Sequence, residues 1–210
     1  MNVLAIGAHF DDVELGCGGT LARHVRAGDS VYVYVATRSG YGNPSAEVVR
    51  SNDVALAEGR AAMEIIGVKE LVCGHFNTFE VEFADPLNVA ILRIVEEKKI
   101  DRVYTHWIDD VHHDHQAVAK ATLHACRHVP NLLMYRSNWY ESGASFHANF
   151  YVDISDCWDV KEKAISAHAS EVNRSDRKWI RYFENEAENA GLRVGVRYAE
   201  AFKLVKWLER

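Results

Sequence analysis

Short runs of β-branched and aromatic residues alternate along this chain with longer stretches in which apolar side chains recur every three or four positions. That alternation predicts strands alternating with helices, and so a mostly parallel sheet covered by helices on both faces. The first strand is Asn2 to Gly7 and the second is "SVYVYVAT", Ser30 to Thr37. Between them a helix is expected from about Gly18 to Ala27, stopped by Gly28. "RSGYGNPS" reads as a loop, Val48 to Ile66 as a helix and "ELVCG" as the third strand. Asp85 is suited to cap a helix over Pro86 to Lys99, with proline in its first turn. "DRVYTHW" is then the fourth strand, and a helix follows His115 as far as Val129, before Pro130. "FYVDI" adds a later strand, and helices are expected over Cys157 to Glu171 and Asp176 to Gly191. No linker, repeat or low-complexity stretch interrupts the pattern, so residues 1–210 are read as a single domain.

The loop after the first strand is unusual. "GAHFDDVELGCGG", residues 7 to 19, places His9, Asp11, Asp12 and Glu14 where a Gly-rich turn would otherwise hold a phosphate. Three carboxylates would repel a pyrophosphate, so dinucleotide binding is disfavoured. A metal suits the same residues better, because His9 and Asp12 at i and i+3 can turn one nitrogen and one oxygen toward a common ion. Asp11, between them, is left to face a bound water. The bland alternative is that both aspartates merely cap the next helix.

A third ligand has to come from elsewhere, and "THWIDDVHHDHQAV" from Thr105 to Val118 offers His106, Asp109, Asp110, His112, His113, Asp114 and His115. In a sheet ordered 3-2-1-4 the first and fourth strands are neighbours, and ligands bind in the crevice beyond their carboxyl ends. Both clusters follow those two strands.

Composition narrows the partners. With 48% hydrophobic residues the chain can bury one sizeable core, and a formal charge of −6 argues against nucleic acid or an anionic membrane surface. The start lacks the pattern of a signal peptide and no apolar stretch approaches the roughly 20 residues of a membrane span, so a cytoplasmic location is expected. Cys17, Cys73, Cys126 and Cys157 have no paired spacing, so neither a disulfide nor a cysteine zinc site is expected.

"AHFDDVELGCGGTLA" together with "DVHHDH" resembles the LmbE-like or PIG-L family of zinc-dependent N-deacetylases, whose motifs read A-H-P-D-D-x-E and H-P-D-H. "EGRAAMEIIGV", "KEKAISAHASE" and "RYAEAF" agree with further family segments. Phe10 and His113 stand where the family has proline, Asn77 where many relatives carry aspartate, and Glu171 where glutamine is usual. The resemblance implies a Rossmann-like three-layer fold. It implies zinc, with Fe2+ or another divalent ion as the alternative, held by His9, Asp12 and His115. Asp11 is implied as the base for attack of a metal-activated water on an acetamide. His112, if protonated, would stabilise the developing charge and protonate the departing amine, with Asp114 orienting its ring. The substrate would be a small N-acetylated amino sugar, and a homo-oligomer is a family-level expectation. An amidase acting on a larger conjugate, or an inactive sugar- or nucleotide-binding module, is the alternative function. Glu14 is read as a helix-start acid or a loop hydrogen-bonder, His106 as a locally satisfied polar group or, with Asp110, a border of the pocket, and Arg38, Arg50 and Arg136 as solvated surface charges, with Arg38 or Arg50 as bidentate anion contacts if the substrate is phosphorylated.

Overall fold

The apolar run Val3 to Ile6 is wholly buried because its strand lies inside the sheet with both faces covered. The computed structural model describes residues 1–209. Its elements in chain order are β1 (Asn2–Gly7), α1 (Asp12–Arg26), β2 (Ser30–Thr37), β3 (Tyr41–Gly42), β4 (Val48–Arg50), α2 (Asn52–Ile66), β5 (Glu70–Phe76) and α3 (Asp85–Glu97). They continue with β6 (Arg102–His106), α4 (His113–Ala125), β7 (Asn131–Tyr135), β8 (Phe150–Asp153), α5 (Trp158–Ser166), α6 (Ala169–Arg174), α7 (Lys178–Val194) and β9 (Ala199–Lys206).

The seven-stranded sheet runs β5-β2-β1-β6-β7-β9-β8, and a separate hairpin joins β3 to β4. Strands β5, β2, β1, β6 and β7 pair in parallel, while β9 runs antiparallel to both β7 and β8. The four strands expected from the sequence therefore stand in the order 3-2-1-4. Alternate residues of β1 serve opposite layers: Val3 and Ala5 pack with Leu21, Met63 and Ala164 of α1, α2 and α5, whereas Leu4 and Ile6 pack with Ile91 and Val118 of α3 and α4. Among the described residues no helix is long and apolar enough to cross a membrane.

Several boundaries differ from the sequence reading, each for a local reason. Val48 to Arg50 is strand β4 and not helix, because α2 begins only after Ser51, whose hydroxyl accepts the N–H of Val54 at 3.2 Å. Ala84 is the N-cap of α3, so Asp85 lies inside the first turn and supplies charge, not a cap hydrogen bond. The stretch Cys157 to Glu171 divides into α5 and α6 at His168, whose ψ of 59° leaves the helical range. Helix α4 opens at His113 and ends at Ala125, earlier at both ends than expected. Strands β7 and β9 are additions that the sequence pattern does not predict.

Helix α1 begins six residues before Gly18, but it breaks at Cys17, where φ −147° and ψ 15° are non-helical. The break frees backbone groups on both sides, and a buried ion pair satisfies them. Lys161 Nζ donates to the Leu15 carbonyl at 2.8 Å and to Glu200 Oε1 at 2.5 Å, while Glu200 accepts the N–H groups of Gly19 and Thr20 at 3.0 and 2.7 Å. Two segments from the second half of the chain thus clamp the kink that carries the first-loop acids. Lys161→Met is expected to cost about 3–5 kcal/mol, since it strands a buried carboxylate. In thermal unfolding this reads as a Tm lower by about 6–20 °C for a chain of this size, and pairing it with Glu200→Leu is expected to recover part of the loss.

Candidate metal centre and active site

Adjacent strands β1 and β6 end side by side, with Ala5 opposite Tyr104, and the loops beyond them carry the two polar clusters. His9, Asp11 and Asp12 lie between β1 and the body of α1; Asp110 and His112 precede α4, and Asp114 and His115 sit in its first turn. The topology brings together residues about a hundred positions apart.

His9 Nδ1 lies 3.3 Å from His115 Nε2 and 3.4 Å from Asp12 Oδ2, and His115 Nε2 lies 3.2 Å from Asp12 Oδ1. The placement of protons on these rings decides what the cluster can hold. The other nitrogen of His9, Nε2, meets the Asp114 carboxylate at 2.9 Å; a carboxylate only accepts, so in the neutral ring the proton sits there and Nδ1 is bare. The other nitrogen of His115, Nδ1, is buried without a well-formed hydrogen bond, and Asp110 Oδ1, 3.3 Å away, is its acceptor neighbour. A proton held toward Asp110 leaves Nε2 bare as well. Two lone pairs and a carboxylate then face one another, which is repulsive unless a cation lies among them. An ion with tetrahedral bonds of about 2.0–2.1 Å spaces its ligand atoms about 3.3 Å apart. The three residues fit a divalent metal by spacing and by chemistry.

The electrostatics agree. Burial alone would lower the pKa of His9, but hydrogen bonds to Asp114 and Asp12 outweigh it and raise it to about 9. For His115 burial is likewise outweighed, by Asp12 and Asp110, and the pKa rises to about 10. A pocket that draws protons onto its imidazoles is one that stabilises positive charge. Asp12 is held by its neighbours: Oδ2 accepts the backbone N–H of His9 at 2.7 Å and Oδ1 accepts the Ser137 hydroxyl at 2.9 Å. A second group, His9 with His112 and Asp114, also gathers three donor atoms. Its acceptors are already committed, because Asp114 takes the N–H groups of Phe79 and Val81 besides that of His9.

Asp11 does not cap α1 with its side chain, which removes the bland reading of that residue. Its φ of 127° is strained for a residue with a Cβ, a conformation that persists only where surroundings enforce it. Burial and the adjacent Asp12 push its pKa up to about 7, against the partial relief of Arg50. Arg50 is not the solvated charge expected from the sequence: it is 3% exposed and donates to the Phe10 carbonyl at 3.0 Å, Asp11 Oδ2 at 3.2 Å, Glu58 Oε2 at 2.9 Å and His168 Nδ1 at 3.1 Å. His168 Nε2 in turn meets Glu14 Oε1 at 2.7 Å, so Glu14 belongs to a buried chain of polar groups behind the cleft.

On the acid side the structure favours a neutral His112 and a different partner for Asp114. Burial, with the positive potential of His115 and His9, lowers the pKa of His112 to about 4, so its imidazole is neutral near pH 7 and not protonated. Its Nδ1 accepts the backbone N–H of Asp114 at 3.2 Å, which places its proton on Nε2. The carboxylate of Asp114 orients His9, not His112, and ties down the segment Phe79 to Val81. His106 is locally satisfied: it accepts the Ala8 N–H at 2.9 Å and stacks on His115 with ring centroids 3.9 Å apart. Arg50, Ser137 and Phe79 are the site residues that sequence reasoning missed. Arg50 carried no sign of burial, Ser137 follows the unanticipated β7, and Phe79 lies in a loop without a motif.

The family profile PIG-L, described as GlcNAc-PI de-N-acetylase, matches residues 4–126. The chain belongs to the PIG-L family. It is 32% identical over 179 residues to an uncharacterized deacetylase of Escherichia coli (strain K12), YaiS, covering 80% of this chain and 90% of that protein. It is 26% identical to the diacetylchitobiose deacetylase of Thermococcus kodakarensis (strain ATCC BAA-918 / JCM 12380 / KOD1), over 97% of this chain and 82% of that one. The crystal structure of a conserved protein, TT1542, from Thermus thermophilus superposes with a TM-score of 0.85 at 22% identity, covering 99% of this chain and 96% of that one, and shows the shared fold. The PIG-L match takes in both polar clusters but ends before Ser137, Lys161, His168 and Glu200.

Proposed function

We propose that this PIG-L protein is a metal-dependent hydrolase that removes the N-acetyl group from a small amino-sugar derivative of the N-acetylglucosamine type, releasing acetate. The carrying observation is the convergence of His9 Nδ1, His115 Nε2 and the Asp12 carboxylate on one point, with a buried acid, Asp11, beside them. Deacetylase relatives, one of them named for an N-acetylated sugar, support the substrate class. Two nitrogens and one oxygen suit zinc and also Fe2+. When bound, such an ion polarises an amide carbonyl and acidifies water. Asp11 takes a proton from the attacking water, and its pKa near 7 lets it return that proton to the departing nitrogen. Neutral His112 donates a hydrogen bond from Nε2 to the charge developing on the acyl oxygen. Asp114 fixes the His9 ring. No covalent enzyme intermediate is needed. A cytoplasmic location goes with this reading, supported by four cysteines without a disulfide.

Metal quantification of the purified protein, followed by acetate release from free, nucleotide-linked and thiol-precursor N-acetylglucosamine compounds, tests the reading. About one equivalent of divalent metal is expected, with acetate and free amine formed together, lost on chelation and restored by metal. Amine without acetate points to cleavage of a larger amide, and binding without turnover points to an inactive module.

A further inference from the structure

Phe79 is an aromatic residue in a costly place. It occupies the third position of the turn Asn77–Glu80, closed by the Glu80 N–H to the Asn77 carbonyl at 3.3 Å, and its φ is 69°. Positive φ at that position favours glycine or asparagine, and a phenylalanine there is strained. Burial does not compensate the strain, since the residue is 51% exposed. The backbone is instead held from both sides by the metal-site helix: the Phe79 N–H donates to Asp114 Oδ2 at 2.8 Å, and the Phe79 carbonyl accepts from His113 Nε2 at 2.8 Å.

The result is a half-exposed ring beside His112. It stacks on His112 with centroids 5.5 Å apart and 22° between planes, and His112 in turn lies 4.8 Å from the His9 ring and 4.6 Å from the His115 ring. Tyr41 meets Phe79 edge-on at 6.1 Å, and its own hydroxyl is anchored on Glu171 at 2.7 Å. An aromatic face one ring removed from the metal ligands, half open to solvent and locked in orientation, matches the apolar C–H face of a pyranose whose N-acetyl group reaches the metal.

We propose that Phe79 is the platform on which the substrate's sugar ring seats, and that it sets a preference for cyclic over acyclic N-acetyl compounds. This rests on the deacetylase reading of the site. If the ring merely shielded His112, its loss would slow every substrate alike. As a platform it acts through binding of the ring alone.

The test compares methyl N-acetylglucosaminide with N-acetylethanolamine, which has the amide but no ring, on metal-loaded wild type, Phe79→Ala and Phe79→Trp. Phe79→Ala is expected to raise KM for the glycoside about three- to tenfold, several-fold more than it changes KM for N-acetylethanolamine, and any fall in kcat is expected to be shared equally by the two compounds. Phe79→Trp is expected to restore the wild-type KM. Equal losses on both compounds, a fall in kcat alone, or no change overturns the platform. Saturation-transfer NMR with the methyl glycoside reads the contact without catalysis: the protons of one ring face receive saturation in wild type and lose it in Phe79→Ala, while the acetyl methyl keeps it. That pattern with no turnover of either compound upholds the platform and overturns the deacetylase reading. Its absence in wild type overturns the platform itself.

Discussion

Asp11→Asn is expected to retain bound metal at wild-type stoichiometry and to release acetate roughly 10²-fold or more slowly, the range for a lost general base. The substitution is nearly isosteric, and asparagine tolerates the strained φ of 127° as well as aspartate does. The amide oxygen can still accept from Arg50, whose Nη1 lies 3.2 Å from Asp11 Oδ2, so the buried polar chain behind the cleft stays closed. The proposed metal ligands are His9, Asp12 and His115, a group that Asp11 does not join. What the variant loses is a group able to take a proton and give it back. Atomic emission on the dialysed protein and an acetate assay are the measurements, and wild-type turnover would remove Asp11 from the chemistry.

His115→Ala separates the other half of the site. The imidazole is the proposed ligand from α4, and without it only His9 and Asp12, both from the first loop, would remain to face an ion. Catalytic zinc sites ordinarily use three protein ligands. The variant is therefore expected to lose its metal on dialysis and to release acetate at background rate. Loss of the ring also leaves His106 without its stacking partner at 3.9 Å and Asp110 without a neighbour at 3.3 Å, so circular dichroism should accompany the assay to confirm a folded protein. A folded His115→Ala protein that kept a full equivalent of metal would show that the ion sits elsewhere. The two variants predict opposite metal contents with the same loss of rate.

Much of this site is legible in the sequence because of where its residues fall in the sheet. Parallel strands buried on both faces read as continuous apolar runs, so β1 and β2 are bounded correctly and the polar clusters can be placed at their carboxyl ends. Strand β9 is hidden because Lys203 and Lys206 interrupt its apolar character, and β7 because Asn131–Tyr135 is a five-residue run that periodicity alone cannot separate from a helix fragment. Arg50 illustrates a deeper limit. A guanidinium among polar neighbours in sequence looks solvated; only the fold reveals Asp11, Glu58 and His168 closing around it. Asp114 can be assigned to the site from its motif, but whether it serves His112 or His9 depends on backbone direction at the start of α4, which spacing does not encode.

The ion pair at the break in α1 has a consequence for how the molecule comes into being. Leu15, Gly19 and Thr20 are synthesised long before the side chains that satisfy their backbone groups, which arrive at positions 161 and 200. A nascent chain can pair its first strands well before then, but the bend at Cys17 stays unsupported until residue 200 has emerged from the ribosome. A chain truncated before β9 is therefore expected to leave the start of α1, and the acids it carries, less ordered however much of the sheet it has already built.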